Sequence, residues 1–216
     1  MKATTSFALV CATATLALFS TPGGPCACAD VTMEMKMESP AQNATIITRI
    51  KGDKMRTDVG DDMTSYVDIA TGDQVLVNHK TKEVTRLDGA KLRADMEESK
   101  KLMAKLDPAA AAAAQAPRFF PTGQKEKVGT YNTAVYTRTV QGSVTTLYLS
   151  KDFPNYAALK AELAVLGKLP GQEEDAKLDG ILVKSVTDIP NVYKSTSTLV
   201  SIKQEPIDAA LFVAPK

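Results

Sequence analysis

Three methionines that alternate along one segment are the residues whose type most directly suggests chemistry. Met33, Met35 and Met37 are spaced two apart, and charged residues stand between them. In an extended strand this spacing places all three thioethers on one face. Thioethers are soft ligands for Cu(I), so a copper-handling protein is one hypothesis. The alternation is also typical of a half-buried strand whose methionines fill a core or line a pocket, and we favour that interpretation.

The remaining residues offer little for catalysis. His79 is the only histidine and lies in a turn, so we expect it to be exposed. The acidic runs at 60–62 and 173–175 do not follow the ligand spacing of a calcium-binding loop. The chain contains no phosphate loop, dinucleotide fingerprint or nucleophile elbow. We therefore predict that the protein is not an enzyme and has no cofactor and no metal site.

The first 29 residues have the pattern of an export signal. Lys2 precedes an apolar run at 7–19, which a Gly-Gly-Pro break at 23–25 ends. The small residues at 27–29 then predict cleavage near Ala29-Asp30 and a periplasmic or secreted product. Because the run is shorter than a bilayer span and none of spanning length follows it, we expect no transmembrane segment in the mature chain.

Composition excludes several classes of protein. The chain has 216 residues, and its 26 basic and 25 acidic residues nearly cancel. A balanced charge argues against a nucleic-acid partner. All three cysteines lie in the leader, which excludes a disulfide scaffold or a thiolate site in the mature chain. The length fits one domain at 30–216 with an Ala/Pro-rich insert at 107–118, while the oligomeric state stays open.

Periodicity predicts an α+β fold built on about ten antiparallel strands. Turn residues recur about every ten positions over 31–87, which indicates a six-strand meander. Further strands are predicted at 130–138, 143–150, 181–187 and 194–203. Such a sheet needs cover on one face, so we expect a curved half-barrel sheet with two covering helices.

Two amphipathic helices are predicted, at 91–106 and 154–166. Apolar residues recur at helical spacing in both segments, and Pro108 and Gly167 mark their ends. We expect both stripes to point inward over the same face of the sheet. Together with the three methionines they form the candidate lining of a ligand site: Leu92, Met96 and Met103 from the first helix, and Tyr156, Leu159 and Leu163 from the second.

The order of four short motifs resembles an exported bacterial family, the domain of unknown function 4412. The motifs are Lys51–Asp58, Lys127–Tyr136, Leu147–Asp152 and Ile207–Pro215, which together cover most of the mature chain. The family is similar in fold to the lipoprotein carriers LolA and LolB. This resemblance implies an open antiparallel sheet with a helical lid over an apolar concavity. It also implies a hydrophobic or lipid ligand, or an envelope lipoprotein, as partner, without naming a substrate.

Three functional hypotheses follow from these observations. The leading one is an exported binding protein that holds a hydrophobic ligand in the sheet concavity. The second is a structural or interaction domain whose own side chains fill that concavity. The third is the methionine-based copper protein. Sequence alone does not separate a ligand cavity from a packed core.

Overall fold

The computed structural model of the protein describes residues 30–106, 119–140, 142–169, 172 and 178–215. The predicted leader at 1–29 and the predicted insert at 107–118 lie outside the described residues. Both therefore stay predictions.

Eleven antiparallel strands form one open, curved sheet. In chain order, the strands are β1 (Val31–Glu38), β2 (Asn43–Lys51), β3 (Lys54–Val59), β4 (Met63–Asp68), β5 (Gln74–Asn78), β6 (Glu83–Leu87), β7 (Phe120–Val128), β8 (Tyr131–Val140), β9 (Ser143–Ser150), β10 (Ile181–Ile189) and β11 (Tyr193–Gln204). Across the sheet, the order is β6-β5-β4-β3-β2-β1-β11-β10-β9-β8-β7. Strands β1 and β11 thus join an N-terminal meander to a C-terminal one, and β6 and β7 are the edges.

The strand count corrects the prediction of about ten. The additional strand is β7, where the sequence had indicated only a second β region starting near Lys125. Pro121 and Gly123 interrupt its alternation, and the pairing with β8 shifts register between Pro121 and Lys125. An edge strand tolerates proline and a bulge because one of its sides has no ladder partner. Strand β7 therefore spans nine residues although its sequence does not alternate regularly between apolar and polar residues.

Two α-helices accompany the sheet, as predicted, with somewhat different bounds. Helix α1 (Gly89–Leu106) follows β6, and the Asp88 carboxylate accepts a hydrogen bond of 2.9 Å from the Lys91 N–H at its start. Helix α2 (Tyr156–Leu163) follows β9 and continues as a 3-10 turn over Ala164–Lys168. No helix in the described part of the chain is both long and apolar enough to cross a membrane.

The hydrophobic core lies between α2 and the middle of the sheet. Leu159 and Leu163 of α2 are 2% and 0% exposed. They belong to one buried cluster with residues of the central strands. The strand members are Val31, Met33, Met35, Met37, Ile46, Ile50, Leu147, Leu149, Ile181, Leu182, Val183 and Leu199. Helix α2 is therefore the cover that the sheet required.

The prediction that α1 also buries its apolar stripe is wrong for much of the helix. Gly89 is its only buried residue, Leu92 and Met96 are half-buried, and Met103 is 47% exposed. Leu102 and Leu106 are 55% and 73% exposed. The physical reason is position, because α1 follows the edge strand β6, whose five residues are themselves exposed. Amphipathic periodicity requires a partner, and the described sheet does not supply one at this edge.

Candidate functional site

The face of the sheet that α2 covers is called the inner face here. Residues directly opposite each other in an antiparallel pair share a face, so the register extends this face from β1 to both edges. Val31 pairs with Ile50, Met35 with Ile46 and Met35 with Leu199. The inner face therefore carries alternate residues of every strand, beginning with the three methionines of β1.

The three methionines are core residues under α2. Met33, Met35 and Met37 are 1%, 3% and 8% exposed, which agrees with the core interpretation of the alternation. The described residues also contain no group of three or more His, Cys, Asp or Glu side chains placed to hold a metal ion. The thioethers thus pack among hydrocarbon side chains rather than line an open groove.

A polar clasp ties α2 to the segment that precedes β10. The Tyr156 hydroxyl and Lys160 Nζ each donate to Asp179 Oδ1, at 2.9 and 2.8 Å, and Lys151 Nζ pairs with the other carboxylate oxygen. Burial alone raises the pKa of the Asp179 carboxyl, but hydrogen bonds from Lys151, Lys160 and Tyr156 outweigh it, so the pKa lies well below its usual value. Burial and the hydrogen bond to Asp179 raise the pKa of the Tyr156 phenol.

This clasp changes the role assigned to Tyr156. Its ring is half-buried against the core, as a lid residue would be. Its hydroxyl, however, donates a hydrogen bond to Asp179, which lies 23 positions further along the chain. Sequence analysis missed Asp179, because no local pattern links that residue to the helix. Tyr156 therefore anchors α2, while Leu159 and Leu163 provide its buried contacts.

Beyond α2, toward β6, the inner face is only partly covered and carries apolar side chains with polar ones, such as Thr57 and Ser65, between them. The register places Met55 opposite Ile50, Val59 opposite Ile46 and Met63 opposite Val59, and Leu76 lies on the same face in β5. These four side chains are half-buried, and two of them, Met55 and Val59, also pack against the edge of the core cluster. We call this set, Met55, Val59, Met63 and Leu76, the open inner face. These residues were not among the predicted site residues. The alternation of apolar and polar residues in β3 and β4 is the signal that could have indicated them.

Helix α1 stands at the end of this open region and is fixed at its first turn. The Gly89 N–H donates to Asp73 Oδ1 at 2.8 Å, and Arg93 Nη2 donates to the Thr71 carbonyl at 2.6 Å. A side chain at Gly89 would collide with the backbone, since a Cβ there would lie 2.3 Å from the Thr71 oxygen. The first turn is thus seated on the β4–β5 connection, while the stripe beyond Met96 is exposed.

The opposite, outer face carries a charged network around Asp58. Arg49 Nη1 and Arg56 Nη2 lie 2.5 and 2.8 Å from its carboxylate oxygens, and the Thr64 hydroxyl donates to it at 2.8 Å. Burial raises the pKa of Asp58, but hydrogen bonds from Arg56, Thr64 and Arg49 lower it overall. His79 Nε2 is 2.9 Å from the Thr64 oxygen. Because Thr64 gives its proton to Asp58, His79 acts as the donor to Thr64, and the group is not an activated nucleophile.

His79 is exposed in the turn between β5 and β6, as predicted. In the acidic run at 60–62, Asp62 forms an ion pair with Lys80 at 2.5 Å. The run at 173–175 lies outside the described residues. The open inner face is therefore taken as the candidate site.

Several solved structures resemble the chain at low identity. PNGF-II in a C2 space group matches with a TM-score of 0.46 and 13% identity, covering 85% of this chain and 29% of that one. A DUF1329 family protein from Desulfovibrio piger matches at 0.36 and 12%, covering 87% and 90%. A LolA superfamily protein from Nitrosomonas europaea matches at 0.32 and 8%, covering 88% and 92%. This chain spans about three tenths of the length of PNGF-II.

No curated protein matches the chain. One family model does, and it extends over residues 31–216, which includes all eleven strands and both helices. The match agrees with the motif order found in the sequence. The chain belongs to the family described as domain of unknown function DUF4412.

Proposed function

We propose that the mature chain is an exported, non-enzymatic binding protein that holds a hydrophobic or lipid-like ligand. The observation that carries this proposal is the open inner face, whose four half-buried apolar side chains lie on the same face of the sheet as the core. Its methionines suit a ligand of variable shape, because the unbranched thioether side chain adapts to irregular surfaces. Covering such side chains is favourable by about 25 cal/mol per Å² of apolar area.

The dimensions of this region favour an elongated ligand. Strands β3 to β6 extend over about 14 Å at the usual spacing between neighbouring strands. The apolar stripe of α1 from Leu92 to Leu106 is about 21 Å long at the helical rise per residue. We propose that the ligand lies on the open inner face and that the exposed stripe of α1 closes over it. The exposed Met103 and Leu106 then gain the burial that the sheet does not give them.

We also propose that the protein acts in the periplasm or outside the cell after cleavage near Ala29-Asp30. In support, Asp30 already belongs to the folded domain. Its carboxylate accepts hydrogen bonds from Lys51 Nζ at 2.6 Å and from the Ile207 N–H at 2.7 Å. A mature chain that starts at Asp30 would therefore retain the ties between its first residue and the rest of the fold.

Native mass spectrometry of the protein, expressed with its leader and purified gently from a bacterial envelope, tests these proposals. We expect a chain that starts within one or two residues of Asp30 and carries a lipid-sized adduct. Thermal melts with oleate or phosphatidylethanolamine should then show a higher melting temperature than melts without lipid, because a ligand that binds only the folded state stabilises it.

Strand β5 offers a matched pair of variants for the same melts. Leu76 and Val75 are neighbouring half-buried residues, and Leu76 lies on the inner face while Val75 lies on the outer one. We expect Leu76→Ser to lose most of the lipid-induced rise in melting temperature, whereas Val75→Ser should keep it. If lipid stabilises neither the wild type nor Val75→Ser, the ligand proposal fails and the self-filled structural domain replaces it.

A further inference from the structure

Exposed apolar side chains occupy the tips of two neighbouring hairpins in the C-terminal meander. Val140 ends β8, Ile189 ends β10, and Val192 lies in the turn before β11. They are 52%, 36% and 77% exposed. The β8–β9 and β10–β11 hairpins are adjacent in the sheet, so the three side chains share one end of it. We call Val140, Ile189 and Val192 the apolar rim.

The apolar rim contrasts with the other hairpins at the same end of the sheet. The β1–β2 turn contains Ser39 and Gln42, the β3–β4 turn contains Asp61 and Asp62, and the β5–β6 turn contains charged lysines. Polar residues are usual in such turns because they bond to the turn backbone and to water. Valine at the exposed tip of a hairpin has neither advantage. This exposure of valine where a polar turn residue is usual is found in the C-terminal hairpins.

A layer of hydroxyl groups lies directly below the apolar rim on the inner face. Arg138 pairs with Thr145, Thr145 with Thr187, and Thr187 with Ser195. The same strands place Val140 and Ile189 two residues further on, which is about 7 Å along a strand. Thr145, Thr187 and Ser195 are half-buried, and their hydroxyls have no hydrogen-bond partner within the residues that the structure describes.

Three charged side chains lie beside the apolar rim. Asp188 and Lys194 face each other across the β10–β11 pair, with 3.5 Å between Oδ2 and Nζ. Arg138 lies over the Phe119 ring, 4.7 Å from its centroid. Among the described residues, this end of β8–β11 thus presents an apolar rim and, below it, a layer of hydroxyl groups that also contains the Arg138 guanidinium.

From this layering we infer that the apolar rim docks on the surface of a lipid bilayer. The interfacial zone on each side of a bilayer is about 5–7 Å thick, so tips that reach the edge of the hydrocarbon place the hydroxyl layer among the headgroups. A stable protein partner requires about 20–30 residues on each side of the interface, and three side chains on hairpin tips do not supply such an area. Because the three side chains of the apolar rim are uncharged, we expect the docking not to require anionic lipid.

Docking at this rim does not rest on the proposed ligand site. The open inner face lies on β3 to β5, whereas the apolar rim belongs to β8, β10 and the turn before β11. The Leu76→Ser variant should therefore dock like the wild type even though it fails to bind lipid as a ligand. The two proposals can fail separately.

Flotation of the purified mature protein with phosphatidylcholine vesicles tests the inference. We expect the wild type to float with the vesicles, and the double variant Val140→Asp/Val192→Asp to have a partition coefficient at least tenfold lower. The control Val200→Asp/Val213→Asp adds the same charge at residues that are 58% and 72% exposed on β11 and near the C-terminus. Its partition coefficient should change less than twofold, and so should that of the wild type between low and high salt.

Three results would overturn the inference. These are a wild type that does not float, a control that loses as much binding as the rim variant, and binding that vanishes at high salt. A rim variant that changes the oligomeric state in size-exclusion chromatography, while floating like the wild type, would point instead to a protein contact and would also reject docking on lipid. Circular dichroism of each variant verifies that it is folded.

Discussion

Helices α1 and α2 have apolar residues at the same kind of spacing, yet they have opposite environments. In α2, Leu159 and Leu163 are 2% and 0% exposed, whereas in α1 Met103 and Leu106 are 47% and 73% exposed. The longer helix is therefore the less buried one. Helical periodicity predicts that a helix forms and which face is apolar. It does not determine whether the fold brings a partner to that face.

The difference follows from where each helix joins the sheet. Helix α2 follows β9, an interior strand, and side-chain contacts secure it along its length. Asp179 accepts hydrogen bonds from Tyr156 and Lys160 of the helix. Glu162 bonds to Gln204 at 2.9 Å, and Lys168 in the following 3-10 turn bonds to Asp53 at 3.0 Å. Helix α1 follows the edge strand β6, and Gly89 and Arg93 in its first turns form hydrogen bonds to the β4–β5 connection. One helix is thus built into the core, and the other is hinged at one end.

The largest expected effect of this difference is on truncated side chains. Leu159→Ala should lower the free energy of unfolding by about 2–5 kcal/mol, because it leaves a cavity in a packed core. Met103→Ala in α1 should change it by less than about 0.5 kcal/mol, since that side chain is largely in water. Urea denaturation of both variants and the wild type measures the two values. Similar losses in the two variants would show that α1 is packed in solution.

A smaller effect is expected where α1 meets the sheet. Gly89→Ala places a Cβ against the Thr71 and Gly72 backbone, so it should cost about 1–3 kcal/mol as an overpacked site. Hydrogen exchange should quicken throughout α1 but not in α2. Ala90→Ser, at an exposed neighbouring position, is the control and should leave exchange in both helices unchanged. Faster exchange in α2 as well would mean that the helices are coupled.

The smallest effect concerns the clasp on α2. Its Asp179 side chain is 41% exposed, so solvent screens its ion pairs and Asp179→Asn should cost about 1 kcal/mol at pH 7. The folded-state pKa of Asp179 is lowered, so its contribution is present above the unfolded-state pKa of about 3.9. It is lost as the pH falls from there toward the folded-state pKa.

Urea denaturation of the wild type and Asp179→Asn between pH 7 and pH 3 follows this dependence. The difference in stability between the two proteins should narrow below about pH 4. Glu97→Gln provides the contrast in α1, because Glu97 pairs with Lys100 on an exposed surface and should show no measurable effect. A difference for Asp179→Asn that stays constant down to pH 3 would exclude an ionic origin.

Much of the fold could be predicted because its signals are local. The alternation of residues over Val31–Glu38 predicted strand β1 and its buried face. Met33 on that face is 1% exposed, which confirms the prediction. Turn residues separated the six strands of the N-terminal meander in the right order. Strand β7 was harder, because its pairing depends on β8 and on a register shift rather than on its own alternation.

The candidate site could be predicted only in part. The sequence pointed to Leu159 and Leu163 as inward-facing, and both are buried, but it treated Met103 in the same way. It did not point to Met55 or Leu76, whose importance comes from lying on the inner face beyond the cover of α2. Which side chains remain accessible is a property of several strands and a helix together, so no single segment encodes it visibly.

The antiparallel strands, the two amphipathic helices and the family could be read from residue order, because each depends on spacing along the chain. The pairing of β1 with β11, the cover of α2 over the core and the exposure of α1 beside the edge strand emerge from the folded arrangement. They could not be read locally because burial depends on which apolar surfaces meet in space. Those surfaces come from residues more than a hundred positions apart, such as Met35 and Leu199.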